Sequence, residues 1–143
     1  MIEVIKASKK HIPDIAKINE VLDTPHFCRS NKELIEKNIS KEHYFIAVDN
    51  KKVLGAMAII LDEGIYEIDS LATSQEKKGI GKMLIDFAVE KCKKEKVPKL
   101  WCWSLARYKA RGFYKKMGFE EDILLKKHAH GEDCYLFGKI IEI

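Results

Sequence analysis

The segment from Ile65 to Ser104 constrains the fold more than any other part of the sequence. It opens with a β-rich run, Ile65 to Ala72, and passes through a polar turn into Gly79 to Lys96, where apolar residues recur at helical spacing. A second β-rich run, Leu100 to Ser104, follows Pro98. A strand, a long amphipathic helix and another strand in this order predict a crossover connection within one sheet.

The other runs predict a sheet that is mostly antiparallel. A short strand near Ile2 to Ala7 precedes two helices, over Ile12 to Leu22 and Asn31 to Ile39. The later elements are a hairpin of Tyr44–Val48 with Val53–Leu61, a helix over Lys109–Met117 that Gly118 can end, and closing strands at Ile123–Leu125 and Tyr135–Ile141. We therefore expect an α/β fold, with a mixed, mostly antiparallel central sheet flanked by helices.

Length and composition favour one domain over residues 1–143. Hydrophobic residues make up 46% of the chain and charged residues 34%, a balance typical of a globular domain. No run approaches the roughly 20 apolar residues of a membrane helix, and the amino terminus lacks a secretory pattern, so we expect a cytoplasmic protein with no membrane partner. The cysteine spacing matches no disulfide framework, which predicts reduced and mostly buried thiols.

The net charge of +4 favours anionic ligands only mildly. The lysines fall in short clusters where exposed helix faces and turns are expected, whereas nucleic-acid binders usually carry a stronger basic stripe with stacking aromatics. A direct nucleic-acid partner is therefore disfavoured. A basic structural or nucleic-acid partner protein remains the weakest of three hypotheses, and steeply salt-dependent binding would identify it.

The turn between the Ile65 to Ala72 strand and the long helix is a candidate anion site. A helix start exposes unpaired N–H groups and a partial positive charge, and Gly79 and Gly81 let a phosphate approach the backbone. Lys77, Lys78 and Lys82 add positive charge. The spacing fits neither a P-loop nor a dinucleotide fingerprint, and a plain tight turn into a helix is the alternative interpretation.

Two motifs resemble those of the GNAT superfamily of acetyl-CoA-dependent N-acetyltransferases, and the resemblance covers nearly the whole chain. Gly79-Ile80-Gly81 resembles the pyrophosphate loop R/Q-x-x-G-x-G/A. Ala110 to Phe119 resembles the segment A-x-x-F-Y-x-x-x-G-F. The resemblance implies acetyl-CoA as co-substrate, no metal, an amine acceptor, and a monomer or homodimer. The implied contacts to the coenzyme are Leu71, Ala72, Thr73, Lys77, Lys78, Gly79, Ile80, Gly81, Lys82, Met83 and Arg107.

Two positions depart from the family pattern. Glu76 stands where Arg or Gln usually precedes the glycines, with Gln75 one place earlier. Arg107 stands where many members carry an Asn that contacts the coenzyme, so Arg107 is expected to reach a phosphate instead.

The reaction needs a base for the amine, and Glu67 and Asp69 are the candidates. A lysine-type amine has a pKa of about 10.4, so at neutral pH a carboxylate must remove its proton, directly or through water. Alternation along the strand puts Glu67, Asp69 and Leu71 on one face. A solvated strand face or a salt bridge to a lysine is the alternative, and Glu67 is slightly favoured because family members often place a glutamate on this strand.

The resemblance also implies a donor and an acid. A backbone N–H near Leu71 is expected to polarise the thioester carbonyl. Tyr114 resembles the general acid of the family, with Tyr108 as a substitute; alternatively, Tyr114 belongs to the apolar face of a short helix. Residues from Asp23 to Glu42 are expected to form part of the acceptor wall.

Two further chemistries receive little support. Cys102 lies between two tryptophans with no histidine nearby in sequence to activate it, so core packing is favoured over an acyl-cysteine route. His128, His130 and Cys134 match no zinc spacing. The leading hypothesis is direct acetyl transfer to a primary amine in a ternary complex, and the alternative from another class is a catalytically inactive acyl-CoA sensor.

Overall fold

The computed structural model, which describes residues 1–143, contains a mixed seven-stranded sheet flanked by four α-helices. The elements are β1 (Ile2–Lys6), α1 (Ile12–Asn19), α2 (Lys32–Ser40), β2 (Tyr44–Asp49), β3 (Lys52–Asp62), β4 (Ile65–Thr73), α3 (Ile80–Glu95), β5 (Lys99–Leu105), α4 (Arg111–Lys116), β6 (Glu120–Ala129) and β7 (Glu132–Ile140). The strands follow the order β1-β2-β3-β4-β5-β7-β6. β4 and β5 run parallel, which confirms the predicted crossover and α/β class.

The chain divides into two compact units, and the expectation of a single domain stays a prediction. The first comprises Met1–Ile60 and Asp69–Phe87, and the second comprises Leu61–Ile68 and Ala88–Ile143. None of the helices is both long and apolar enough to span a membrane. All four cysteines are free thiols, of which three are buried and Cys28 is exposed, as the sequence predicts.

In the first unit, α1 and α2 contribute apolar faces to a core shared with β2 and β3. Ile15 and Ile35 of these helices are fully buried, as is Ile46 of β2. The hairpin turn between β2 and β3 has Asn50 and Lys51 in the left-handed region, with φ of 47° and 73°. Two consecutive positive φ values are typical of the type I′ turn that suits a two-residue hairpin.

In the second unit, the sheet is antiparallel from β5 through β7 to β6. Cys102 of β5 faces Phe137 of β7 in register, and both side chains are buried. The predicted helix over Lys109–Met117 is wrong at its start, because Lys109 adopts a left-handed φ of 53° and ends a short 3-10 helix, Ala106–Tyr108. The helix therefore begins at Arg111, and Gly118, with φ of 88°, follows its end.

Candidate active site

The turn between β4 and α3 is built around a left-handed glycine. Gly79 has a φ of 83°, and a Cβ added there would meet no atom within 4 Å. Backbone conformation, rather than lack of space, is therefore what requires glycine at this position. The open space also means that a ligand can approach the backbone closely at this residue.

The amide groups at the start of α3 point out of the helix. The first α-helical hydrogen bond runs from the Met83 N–H to the Gly79 carbonyl over 3.0 Å. The N–H groups of Ile80, Gly81 and Lys82 precede it and have no acceptor within the helix. Because α3 is 16 residues long, its full dipole places partial positive charge at this end. This helix start is suited to an anion, and the diphosphate expected there stays a prediction.

Gly55 on β3 positions the start of α3, and sequence reasoning missed it. A Cβ on Gly55 would lie 2.7 Å from Cγ2 of Ile80 and 3.1 Å from Cδ1 of Leu84. The first turn of the helix therefore rests directly on the backbone of β3, and only glycine leaves room for it. A glycine inside a predicted strand signals close backbone approach, which was the available clue.

The side chains around the turn are arranged in exposed ion pairs. The Lys77 ammonium lies 2.6 Å from the Asp49 carboxylate, and that of Lys82 lies 2.6 Å from Asp86. The Lys77 side chain and the amino terminus hold the pKa of the Asp49 carboxyl below its usual value. Glu76, which departs from the family motif, pairs with Lys52 at 2.5 Å. Exposed pairs of this kind are weak, so the lysines can exchange partners for an anionic ligand.

The alternation predicted for β4 is confirmed. Its residues are half-buried and buried in turn from Ile65 to Thr73, with Glu67, Asp69 and Leu71 on the half-buried face. In the parallel pair, Glu67 lies opposite Trp101 of β5. The two candidate bases therefore share one partly accessible face of the strand.

Asp69 is already engaged in an ion pair. Its carboxylate lies 2.6 Å from Nη1 of Arg29, and both side chains are largely buried, with 19% and 23% of their surface exposed. The sequence predicted either a base or a salt bridge to a lysine at this position, and the partner observed is an arginine instead. Arg29 falls within Asp23 to Glu42, the segment expected to form part of the acceptor wall.

Tyr114 is packed inside an aromatic cluster. Its ring stacks on Phe137 with centroids 5.1 Å apart, and it makes edge contacts with Phe113 at 5.2 Å and Phe119 at 5.3 Å. Its hydroxyl is hydrogen-bonded to the thiol of Cys102. Burial, followed by the influence of Cys102, raises the pKa of Tyr114 well above its ordinary value. The phenol is therefore held protonated at neutral pH.

Cys102 is buried beside one of the predicted catalytic groups, Tyr114. Burial raises the pKa of its thiol to about 12, an effect that the negative charge of Glu67 increases and the hydrogen bond from Tyr114 opposes. A thiol with this pKa is almost entirely protonated at neutral pH and is a poor nucleophile. Cys102 thus lies beside Tyr114, a contact that sequence spacing did not reveal, whereas the pairing of Glu67 with Trp101 turns the Glu67 side chain to the other face of the sheet.

Arg107 forms an ion pair with the Glu132 carboxylate in the second unit. Its Nε and Nη2 atoms each lie 2.6 Å from an oxygen of Glu132, which makes a bidentate pair on the protein surface. An Arg107 contact with phosphate would require this pair to open. The histidines and Cys134 do not form a group of three side chains that could hold a metal ion.

Comparison with known families assigns the chain. Residues 40–121, more than half of the sequence, match the profile described as the acetyltransferase (GNAT) domain. The matched part contains β4, the glycine turn, α3 and Tyr114. The chain therefore belongs to the GNAT acetyltransferase family. A comparison with curated protein sequences gave no match.

Solved structures share the fold at low sequence identity. Ard1 from Thermoplasma volcanium is 18% identical with a TM-score of 0.86, and the match covers 99% of each chain. The ribosomal-protein-S18-alanine N-acetyltransferase of Escherichia coli is 18% identical with a TM-score of 0.79, over 100% of this chain and 96% of that one. A chain of the NatC complex bound to Gag peptide and CoA is also 18% identical, with a TM-score of 0.79 and 99% coverage of both.

Proposed function

We propose that this protein transfers the acetyl group of acetyl-CoA to a primary amine by direct attack in a ternary complex. The observation that carries the proposal is the turn at Gly79, where a left-handed glycine leads into the free amides of a 16-residue helix. Family membership makes acetyl-CoA the ligand expected there. The amides of Ile80, Gly81 and Lys82 would bind the diphosphate, and Lys77, Lys78 and Lys82 would neutralise its charge.

Leu71, Ala72 and Thr73 are proposed to hold the pantetheine arm. They form the end of β4 immediately before the turn, where backbone groups can bond to an extended amide chain as an added strand does. A backbone N–H near Leu71 would donate to the thioester oxygen as negative charge develops on it. Fixed dipoles of this kind need no reorganisation during the reaction.

Glu67 and Tyr114 are proposed to move the two protons. The amine nitrogen bonds to the carbonyl carbon, the carbon–sulfur bond breaks, and its electron pair stays on the sulfur. Glu67 takes the proton lost by the nitrogen, directly or through water, and Tyr114 gives its hydroxyl proton to the sulfur. Family membership supports this pairing, and Glu67 lies on the partly accessible face of β4. Solvent exchange restores both groups for the next turnover.

The raised pKa of Tyr114 makes its hydroxyl a weak proton donor to the departing sulfur. A phenol with a pKa above 10 gives up its proton less readily than a free thiol, whose pKa is about 8.5. We therefore expect Tyr114 to hydrogen-bond the departing sulfur first and to transfer its proton only once the carbon–sulfur bond has broken, with positioning supplying most of the acceleration. A peptide or small-molecule amine is the expected acceptor, since matched structures include a ribosomal-protein-alanine N-acetyltransferase and a complex with a bound peptide.

The test is thiol release from acetyl-CoA across an amine panel. The panel contains peptides with free amino termini, lysine peptides, polyamines and small amines, and calorimetry measures acetyl-CoA affinity in parallel. Glu67→Gln and Tyr114→Phe are expected to lower kcat by about a hundredfold while leaving the acetyl-CoA Kd within a factor of about two. Tyr108→Phe is the matched control for loss of a nearby phenol.

Each outcome separates the hypotheses. Acetyl-CoA binding with no thiol release for any amine would favour the inactive sensor. No binding of acetyl-CoA would overturn the proposal as a whole. Loss of turnover in Tyr108→Phe but not in Tyr114→Phe would transfer the acid role to Tyr108.

A further inference from the structure

An ion pair joins the segment between α1 and α2 to the strand that carries the candidate bases. Nη1 of Arg29 and Oδ2 of Asp69 are 2.6 Å apart, and both side chains are mostly shielded from solvent. We infer that Arg29 and Asp69 form a latch that fixes the loop Asp23–Asn31 against β4, and that Asp69 is a positioning residue rather than the base. This inference rests on the proposed function, because the loop belongs to the expected acceptor wall.

Arg29 is held at its backbone as well as at its guanidinium. The carbonyl of Arg29 accepts a hydrogen bond of 3.1 Å from Nδ2 of Asn19, a side chain that is completely buried. The same Nδ2 donates to the Tyr44 hydroxyl over 3.0 Å, and that hydroxyl lies 3.4 Å from Oγ of Ser70, the neighbour of Asp69. The loop therefore meets β4 through a buried polar network in addition to the ion pair. Breaking this network would leave the buried Nδ2 of Asn19 unpaired as well as its Oδ1, which already has no hydrogen-bond partner, so the network favours the observed arrangement.

The loop is ordered by its own hydrogen bonds. The Asp23 carboxylate accepts from the backbone N–H of Ser30 at 3.0 Å and from its hydroxyl at 2.5 Å, which closes the loop across seven residues. Oγ1 of Thr24 accepts from the N–H groups of His26 and Phe27. A loop with this much internal bonding moves as a unit, so the two attachments at Arg29, through its guanidinium and its carbonyl, set its position.

The latch also fixes an exposed aromatic ring. The Arg29 guanidinium carbon lies 4.6 Å from the centroid of the Phe27 ring, a cation–π contact, while 49% of Phe27 remains exposed. Arg29 thus links Phe27 on the loop surface to Asp69 on β4. Release of the ion pair would free the ring and the carboxylate together.

Asp69 cannot both accept the proton of the amine and hold the Arg29 guanidinium. Taking a proton would remove the negative charge that holds Arg29, so the latch would open with every turnover. Glu67 lies two positions away on the same face of β4 and can serve as base without disturbing the loop. The geometry therefore assigns the anchoring role to Asp69 and leaves the proton to Glu67.

The experiment compares Arg29→Gln, Asp69→Asn and the double variant. With saturating acetyl-CoA and the amine that gives the fastest thiol release in the panel, each single variant should raise the acceptor KM about tenfold, with kcat changed by less than about twofold. The double variant should resemble the singles, because all three remove the same interaction. Arg29→Lys should restore part of the acceptor affinity. Lys9→Gln, which breaks the exposed Lys9–Glu36 pair, is the matched control.

A second measurement needs no acceptor. Hydrogen exchange of residues 23–31 should speed up in Arg29→Gln and Asp69→Asn but not in Lys9→Gln. Unchanged exchange in both latch variants would overturn the inference. So would a large fall in kcat in Asp69→Asn that Arg29→Gln does not share, since that result makes Asp69 the base. If the wild type releases no thiol with any amine, the proposed function fails, but hydrogen exchange of residues 23–31 still tests whether the ion pair holds the loop.

Discussion

Gly55→Ala is the most direct test of how the sheet supports the turn at Gly79, the proposed diphosphate site. The added Cβ would lie 2.7 Å from Cγ2 of Ile80 and 3.3 Å from the Ala72 carbonyl oxygen, closer than side chains normally pack. Ile80 is 2% exposed and β-branched, so it cannot rotate away. Overpacking of this kind costs about 1–3 kcal/mol of unfolding free energy, or roughly 3–10 °C in Tm for a chain of this size.

The same substitution should weaken coenzyme binding. Relief of the clash moves the first turn of α3 away from β3, and the free amides of that turn are the proposed diphosphate ligands. We expect the acetyl-CoA Kd to rise about tenfold, measured by calorimetry, together with the loss of stability measured by urea unfolding. Gly112→Ala in α4 is the matched control, because an added Cβ there meets no atom within 4 Å and should leave both quantities equal or slightly improved. An unchanged unfolding free energy in Gly55→Ala would refute the reasoning.

Three further predictions concern the thiols and Arg107. In the native protein only Cys28 should react rapidly with a thiol reagent, whereas urea-unfolded protein should show all four cysteines. Burial raises the pKa of Cys102 to about 12, so its neutral thiol stabilises the fold below pH 9, and this stabilisation is lost as the pH rises towards 12. Between pH 8 and pH 10.5, the unfolding free energy measured in urea should therefore fall more for the wild type than for Cys102→Ala. Glu132→Gln frees the Arg107 guanidinium, so it should tighten acetyl-CoA binding in calorimetry if Arg107 contacts a phosphate, and equal affinity would remove Arg107 from the coenzyme contacts.

Local sequence patterns were sufficient to predict most helices and strands, the shared face of the two candidate bases on β4 and the glycine turn before α3. Period-two alternation placed Glu67 and Asp69 on a common face of β4, and helical periodicity predicted α3 with its glycine turn. Both depend on neighbours in sequence, which a single chain displays directly. The start of α4 was misplaced because the left-handed φ at Lys109 leaves no periodic signal.

The sequence by itself determined the α/β class, the order of elements and the position of the glycine turn before α3, because periodicity and glycine spacing act over a few residues. Only the tertiary structure decided which side chains meet: Arg29 with Asp69, Tyr114 with Cys102, and Gly55 with Ile80. Each of these pairs is separated by many residues, and the choice among possible partners depends on strand register and packing of the whole chain. Hydrogen bonds and ion pairs act over only a few ångströms, so they can be assigned only once the fold has brought their atoms together.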